Sequence, residues 1–360
     1  MSFDRLFFEM DSCISCGICS AVCPVERVMG TSRAPILEPL FPAFGSRWNL
    51  YTCQELLAHC TQCGICQKNC PKNISIPEII TWAREDIRES GEELAAVKVM
   101  VQSLKEKGNP FGTDIDKGML KGKEARPGEA EYIFYPGCAT LHQNPEVLTA
   151  WERVAEALDI SFTTVGEKHK CCGALLFRWG YRAEAEKLAQ ENAALFSSLG
   201  RKGATIVSDC PHCVEAFRRD YPQLLQSFSF KVIHSSELLQ HLLQKAGIGK
   251  GVEGAVAYFS PCFLQKDYGS NEPGLSLTRA LAPTEVLENG LCCGAGGGLG
   301  IINPAVPAEL SQVILEQARG SGAETIVTAC PHCRHHLKEV SAGLPVLDII
   351  ELVAQMLTRG

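Results

Sequence analysis

Glu131-Tyr132-Ile133-Phe134-Tyr135-Pro136-Gly137-Cys138 and, 124 residues further on, Ala255-Val256-Ala257-Tyr258-Phe259-Ser260-Pro261-Cys262 are two copies of one phrase: a short apolar run, a turn and a cysteine. The β-prone run predicts a strand, and the turn sets the cysteine at its carboxyl end. Outward from this phrase, Cys171-Cys172-Gly173-Ala174 matches Cys292-Cys293-Gly294-Ala295 at an offset of 121, and Cys210-Pro211-His212-Cys213 matches Cys330-Pro331-His332-Cys333 at an offset of 120. In the first copy, strands predicted over 131–135, 162–165, 205–208 and 231–233 alternate with helices over 144–158, 183–199, 214–219 and 236–244, with Asn144-Pro145 as the expected cap and first-turn proline of the first helix. The second copy follows the same order and finishes with a strand over 345–347 and a helix over 348–357. This alternation predicts a duplicated α/β unit with parallel sheets. In open α/β units the carboxyl ends of the strands form the site. The five cysteines of each copy therefore converge on one rim, and two facing rims share a cleft.

The first hundred residues carry another repeat. Cys13-x-x-Cys16-x-x-Cys19-x-x-x-Cys23-Pro24 is echoed by Cys60-x-x-Cys63-x-x-Cys66-x-x-x-Cys70-Pro71, each with a glycine, Gly17 or Gly64, after its second cysteine. This run holds cubane [4Fe-4S] clusters in bacterial ferredoxins, where the fourth cysteine ligates the other cluster. Cys13, Cys16 and Cys19 are therefore paired with Cys70, and Cys60, Cys63 and Cys66 with Cys23. Zinc prefers paired Cys-x-x-Cys arms around a loop and fits this run poorly. Apolar spacing over Gln54–His59 and Pro77–Ala83 makes the unit mostly helical. Cys53, outside every motif, reads as a small buried hydrophobe. The charged, glycine-rich stretch from about Glu85 to Ala130, with one helix over 92–104, reads as a connector.

Charge and composition exclude several classes. The net charge is -7 with both signs scattered, so no basic footprint for nucleic acid exists. The 19 cysteines form an odd, clustered set without a secretory leader, which argues for metal ligation in a reducing, cytoplasmic compartment. No run is apolar for the ~18 residues that a membrane-spanning helix needs. Membrane contact is expected only peripherally, through a partner subunit.

The ten remaining cysteines, Cys138, Cys171, Cys172, Cys210 and Cys213 with Cys262, Cys292, Cys293, Cys330 and Cys333, are read as ligands. Adjacent cysteines close a strained ring if they bond each other. A cubane needs four thiolates, so a fifth in each set suggests a larger or more open cluster whose adjacent cysteines bridge neighbouring irons. A cubane with one spare thiol, or a zinc site, stays open on the residues alone. The glycines of Gly294-Ala295-Gly296-Gly297-Gly298-Leu299-Gly300 lack the spacing of a dinucleotide fingerprint and read as close backbone approach to a cluster. His212 and His332 lie inside the Cys-Pro-His-Cys turns, where a local hydrogen bond is the ordinary role and proton donation to nascent thiolates the functional one. His169, His335 and His336 read as surface residues. Tyr135, Tyr258 and Phe259, just before the first cysteines, read as core.

Residues 131–360 resemble the cysteine-rich domain pair of the heterodisulfide reductase catalytic subunit, whose pattern is Cys, Cys-Cys-Gly and Cys-x-x-Cys at comparable intervals. The 29-residue interval after Cys262 is slightly short and the 37-residue one after Cys172 slightly long. The first hundred residues resemble that enzyme's small ferredoxin subunit, and Gly108-Asn109-Pro110-Phe111-Gly112 resembles a short motif of the family, fused in the order of the membrane-linked type. The resemblance implies an all-α ferredoxin-like domain with two cubanes (1–90), a connector (91–130) and two α/β cysteine-rich domains (131–250 and 251–360), each holding a noncubane [4Fe-4S] cluster on its five cysteines. It further implies that these two clusters face each other across the substrate, cleave its disulfide and take one sulfur each, while the cubanes deliver electrons singly. The expected partners are a membrane cytochrome b-type or flavoprotein subunit and a small-molecule disulfide or its thiols. A second reading is a non-catalytic subunit passing electrons from a flavoprotein of the glycerol-3-phosphate, glycolate or lactate dehydrogenase type to quinone.

Overall fold

The computed structural model describes residues 9–30, 57–91, 93–114, 128–249, 251–288 and 290–359. Cys53 and most of the predicted 54–59 helix lie outside these residues. In the N-terminal part, α1 (Pro24–Met29) opens on a first-turn proline, and α2 (Ile76–Glu89) buries Ile76, Ile79, Ile80, Ala83 and Ile87 on one face. That face packs on Met10, Leu57 and Ile74 and on the cysteine motifs. The connector helix is α3 (Ala95–Lys107), ended by Gly108 in the left-handed region.

The first repeat contains β1 (Ala130–Phe134), α4 (Cys138–Gln143), α5 (Glu146–Ala157), β2 (Phe162–Thr164), α6 (Arg182–Leu199), β3 (Gly200–Ser208), α7 (Pro211–Glu215), β4 (Lys231–His234) and α8 (Ser235–Ala246). The second contains β5 (Val256–Phe259), α9 (Cys262–Tyr268), α10 (Pro273–Leu281), β6 (Thr284–Val286), α11 (Ala305–Gly320), β7 (Thr325–Thr328), α12 (Pro331–Glu339), β8 (Val346–Asp348) and α13 (Ile349–Arg359). Each makes a four-stranded sheet, in orders β2-β1-β3-β4 and β6-β5-β7-β8. Every pairing is parallel, with Ile133 opposite Thr163 and Ile206, and Ala257 opposite Glu285 and Ile326. The central strands read as continuous apolar runs because both faces are covered; all of β5 is buried. The expected strand-helix alternation is thus present in both copies.

Strand order fixes the site. The chain leaves β1 for β2 on one side and returns to β3 on the other, so the switch point falls between the carboxyl ends of β1 and β3, and likewise between β5 and β7. Such a point opens a crevice beyond the strand ends. Cys138 and Cys210 flank the first, Cys262 and Cys330 the second.

The two repeats share one core. α5 packs on α13 and α8 on α10, joining Trp151, Val154, Leu239, Leu281, Ile350 and Val353. Trp151 stacks on Phe134 at 4.1 Å between ring centres. Asn144 does not cap α5 with its side chain. Its Nδ2 donates to the carbonyls of Ala139 (3.1 Å) and Pro331 (3.0 Å), and its Oδ1 accepts from Arg334 (2.8 Å), so it ties the repeats together. Arg334 also reaches Glu146 (2.9 Å) and Glu351 (2.6 Å). Burial opposes ionisation of Glu146, but hydrogen bonds from Lys338 and Arg334 outweigh it and hold its carboxyl down at about 2. A carboxyl held below its unfolded value contributes stability above that value and loses it as pH falls through the folded one. Acid unfolding followed by circular dichroism is therefore expected to show destabilisation between about pH 4.5 and 2, and Glu146→Gln to remove part of that dependence.

Candidate functional site

Four sulfur groups lie along the molecule. The outer one is Cys13, Cys16, Cys19 and Cys70 around a small hollow closed by Pro71 and Ile74; Cys16 is exposed. Cys23, at the start of α1, sits instead with Cys60, Cys63 and Cys66, which feel its charge and it theirs. The structure thus brings Cys70 beside the first run and Cys23 beside the second. Gly17 (φ 74°) and Gly64 (φ 78°) each start a short helix in the left-handed region, where a side chain would be strained. This inner group touches the next: the Cys63 thiol contacts Cys292, and Cys292 Sγ lies 3.7 Å from Thr61 Oγ1.

Cys262, Cys292, Cys293, Cys330 and Cys333 form the third group, with Cys293 and Cys333 sulfurs 3.1 Å apart. Cys138, Cys171, Cys172, Cys210 and Cys213 form the fourth. All five line a cavity of about 180 Å³. Gly137 lets β1 and β3 end side by side, since a Cβ there would lie 2.6 Å from Cys210 Cβ. Asp209 holds the same turn by accepting from Gly137 N (2.8 Å) and from the Thr140 hydroxyl, and burial lifts its carboxyl to about 6. Tyr135 Oη donates to the Lys170 carbonyl, just before the Cys-Cys pair. Tyr135, Tyr258 and Phe259 are core, as expected.

The far wall of the cavity comes from the second repeat: Phe263, Gly297, Ile301, His332 and His336. The two Cys-Pro-His-Cys turns meet here. His212 and His332 stack at 5.2 Å between ring centres, with Phe263 at 4.2 Å from His212. Burial, then the charge of Arg178, pushes His212 down to about 3, and burial pushes His332 down as well. Both are neutral imidazoles at ordinary pH. A shared cleft is present, but only the first set of cysteines opens onto it; the second set faces the N-terminal part.

Three expectations are corrected. His169 is buried, not on the surface; it stacks near Tyr135, bonds the Pro136 carbonyl at 2.9 Å, and burial holds it down at about 4. His335 and His336 are half-buried, and His336 faces the cavity. The glycine loop 294–300 makes its close approach to protein backbone: a Cβ on Gly296 would lie 2.1 Å from the Thr61 carbonyl oxygen, and one on Gly297 2.5 Å from that of Cys60. Gly296→Ala is therefore expected to cost about 1–3 kcal/mol through overpacking, measured as a lowered urea midpoint, and to speed proteolytic release of the N-terminal part.

The residues that join these groups carry no motif. Trp179 Nε1 donates to the Gly297 carbonyl at 2.8 Å, and the Arg84 guanidinium lies 3.9 Å over the Trp179 ring. Arg178 lines the cavity and pairs with Glu215, which also takes Lys266 at 2.7 Å. Single aromatic and basic residues have no spacing to betray them.

The donor sets fit iron-sulfur clusters. All 18 cysteines among the described residues are free thiols, grouped and not paired. Burial raises the Cys66 thiol, and hydrogen bonds to neighbouring cysteines, then burial, raise those of Cys213 and Cys333, so metal binding at these sets would displace protons. The buried Arg84 Nη1 lacks a partner beside the inner set, as a cation facing an anionic group does.

The 4Fe-4S dicluster domain model matches residues 9–74, and the Cysteine-rich domain model matches residues 132–218 and 256–338. The class defined by fold and site is thus an iron-sulfur oxidoreductase subunit in which a helical dicluster region precedes two α/β cysteine-rich repeats. More particularly, its similarity to heterodisulfide reductase subunits runs over 97% of the chain. The chain is 28% identical to a subunit of the dihydromethanophenazine:CoB--CoM heterodisulfide reductase of Methanosarcina acetivorans, over 97% of this chain and 94% of that one. The EtfAB:quinone oxidoreductase of Syntrophomonas wolfei is 25% identical over 96% of this chain and 58% of that one. A crystal structure of a hypothetical protein from Helicobacter pylori shares the fold at a TM-score of 0.61 and 11% identity, over 89% of this chain and 66% of that one. Among the described residues no single helix is long and apolar enough to cross a membrane.

Proposed function

We propose that this chain is the disulfide-reducing subunit of a redox complex, taking electrons through two cubane clusters and reducing a small-molecule disulfide at noncubane clusters on its five-cysteine sets. The observation that carries this reading is the convergence of a complete set, Cys138, Cys171, Cys172, Cys210 and Cys213, on one cavity walled by both repeats. Cys13, Cys16, Cys19 and Cys70 are the proposed ligands of the outer cubane, and Cys60, Cys63, Cys66 and Cys23 those of the inner. The second set, Cys262, Cys292, Cys293, Cys330 and Cys333, lies between the inner cubane ligands and the cavity. Bound clusters would supply one-electron redox chemistry and open iron sites for sulfur. The chain's own residues shape the cavity, line it with the apolar side chains of Phe263 and Ile301, and present His212 and His332 as hydrogen-bonding groups whose basicity burial lowers. Reduction takes up two electrons and two protons and gives two thiols, which fits two single-electron carriers feeding one site. The donor in this reading is a membrane cytochrome b-type or flavoprotein subunit, and the chain works on the cytoplasmic side of the membrane.

One observation favours a second reading, electron transfer from a flavoprotein to quinone. The second set abuts Cys63 and does not open on the cavity, as a relay would. Anaerobic protein supplied with reduced viologen separates the two. Viologen oxidation that depends on an added disulfide supports reduction at the cavity. Oxidation by a quinone analogue alone, with no disulfide accepted, would replace it with the relay.

A further inference from the structure

Arg84 is 2% exposed. Its Nε donates to the Leu57 carbonyl at 2.9 Å and its Nη2 to that of Cys60 at 2.8 Å, while Nη1 has no partner. Its plane is covered by Trp179. Among the described residues no carboxylate pairs with it. The other buried guanidinium nearby, Arg178, is matched by Glu215 and by Asp220 at 3.8 Å, and Lys266 pairs with Glu215. Arg84 and Arg178 repel one another, and the Cys60 sulfur is the group whose charge favours Arg84. A buried charge without a partner is costly and persists only where something of opposite sign faces it. Glu93 lines the same hollow as Arg84 without pairing with it, and the inner-set sulfur of Cys60 is the group whose charge acts on it.

We propose that Arg84 is the fixed counter-charge of the inner set, Cys60, Cys63, Cys66 and Cys23, and raises the reduction potential there above that of the outer set. This rests on the reading that both sets hold cubanes. A thiolate-ligated cubane is anionic and becomes more so on reduction, so a nearby buried cation favours the reduced form. Among the described residues the outer set has no such buried cation. Its Cys16 is exposed, and Lys72 at its rim is exposed, where water and salt screen it. An electron delivered by the reduced partner to the outer site then moves downhill to the inner one, toward Cys292. Arg84 acts through charge and touches no substrate.

The test is a redox titration of the full chain followed by electron paramagnetic resonance, with iron and acid-labile sulfide counted in each variant. In Arg84→Gln one cubane midpoint is expected to fall while the other stays, at unchanged iron; Arg84→Lys, which keeps the charge, is expected to hold the midpoint near its original value. Cys16→Ser, far from Arg84, is expected to remove or alter the lower-potential signal and leave the higher, which tests the assignment even if Arg84→Gln does not fold. Unmoved midpoints in an iron-replete Arg84→Gln, or loss of the higher-potential signal in Cys16→Ser, would overturn the role of Arg84 with the cubanes intact. Wild-type protein without cubane signals would overturn the cluster reading instead.

Discussion

Cys210→Ser is expected to abolish disulfide reduction while leaving both cubane signals in place. Cys210 is 1% exposed at the end of β3, against the Gly137 turn, on the switch point where the crevice opens. Serine is close in volume, so the strand ends stay together and the fold is preserved. What is lost is one of the five sulfurs proposed to hold the cluster. Changes one shell further out typically cost 10–100-fold at metal sites, so turnover here should fall by about 10²-fold or more. The readout is viologen-linked turnover together with iron content and cubane spectra. Cys330→Ser, the matching change in the second set, sharpens the result. Equal loss in both variants fits two sets acting on one substrate, whereas loss of electron delivery to the first set in Cys330→Ser would mark the second as a relay.

Arg334→Met should be the most damaging change outside the cysteines. Its side chain is 3% exposed and its fork reaches Glu351 twice, Asn144 and Glu146. These bonds pin α12, which carries Cys330, His332 and Cys333, to the α4–α5 turn of the other repeat. Removing one partner of a buried ion pair costs about 3–5 kcal/mol, and here the largely buried Glu351 side chain loses both of its bonds from the fork. The expected result is a lowered urea midpoint and weaker retention of iron at the second set. Arg334→Lys should recover only part, since one ammonium cannot reproduce the fork.

Much of this arrangement was legible from the chain because cysteines mark strand ends. In a parallel α/β unit, a residue directly after a strand must lie on the carboxyl rim, so Cys138, Cys210, Cys262 and Cys330 could be placed from strand order alone. The duplication then placed the second set by analogy with the first. Crossed pairing of Cys23 and Cys70 followed from the ferredoxin run itself. What stayed hidden depends on contacts between distant segments. Asn144-Pro145 looks like a cap, yet the nearby Arg334 and Pro331 carbonyl claim the asparagine across the repeat interface. Nothing local distinguishes the two five-cysteine sets; with Thr61 docked against Gly296, one lies against the inner cysteine set and the other faces the cavity. His169 sits among charged residues in sequence but folds under Tyr135, where burial decides its state.

The five cysteines around the cavity are proposed to hold an open cluster that takes sulfur from a substrate. This is tested most directly by electron paramagnetic resonance of the oxidised protein, prepared without oxygen, with and without added small thiols. The expected result is a paramagnetic signal that appears or changes when thiol is added and is missing in Cys210→Ser. Cubane signals alone, indifferent to every thiol, would contradict it.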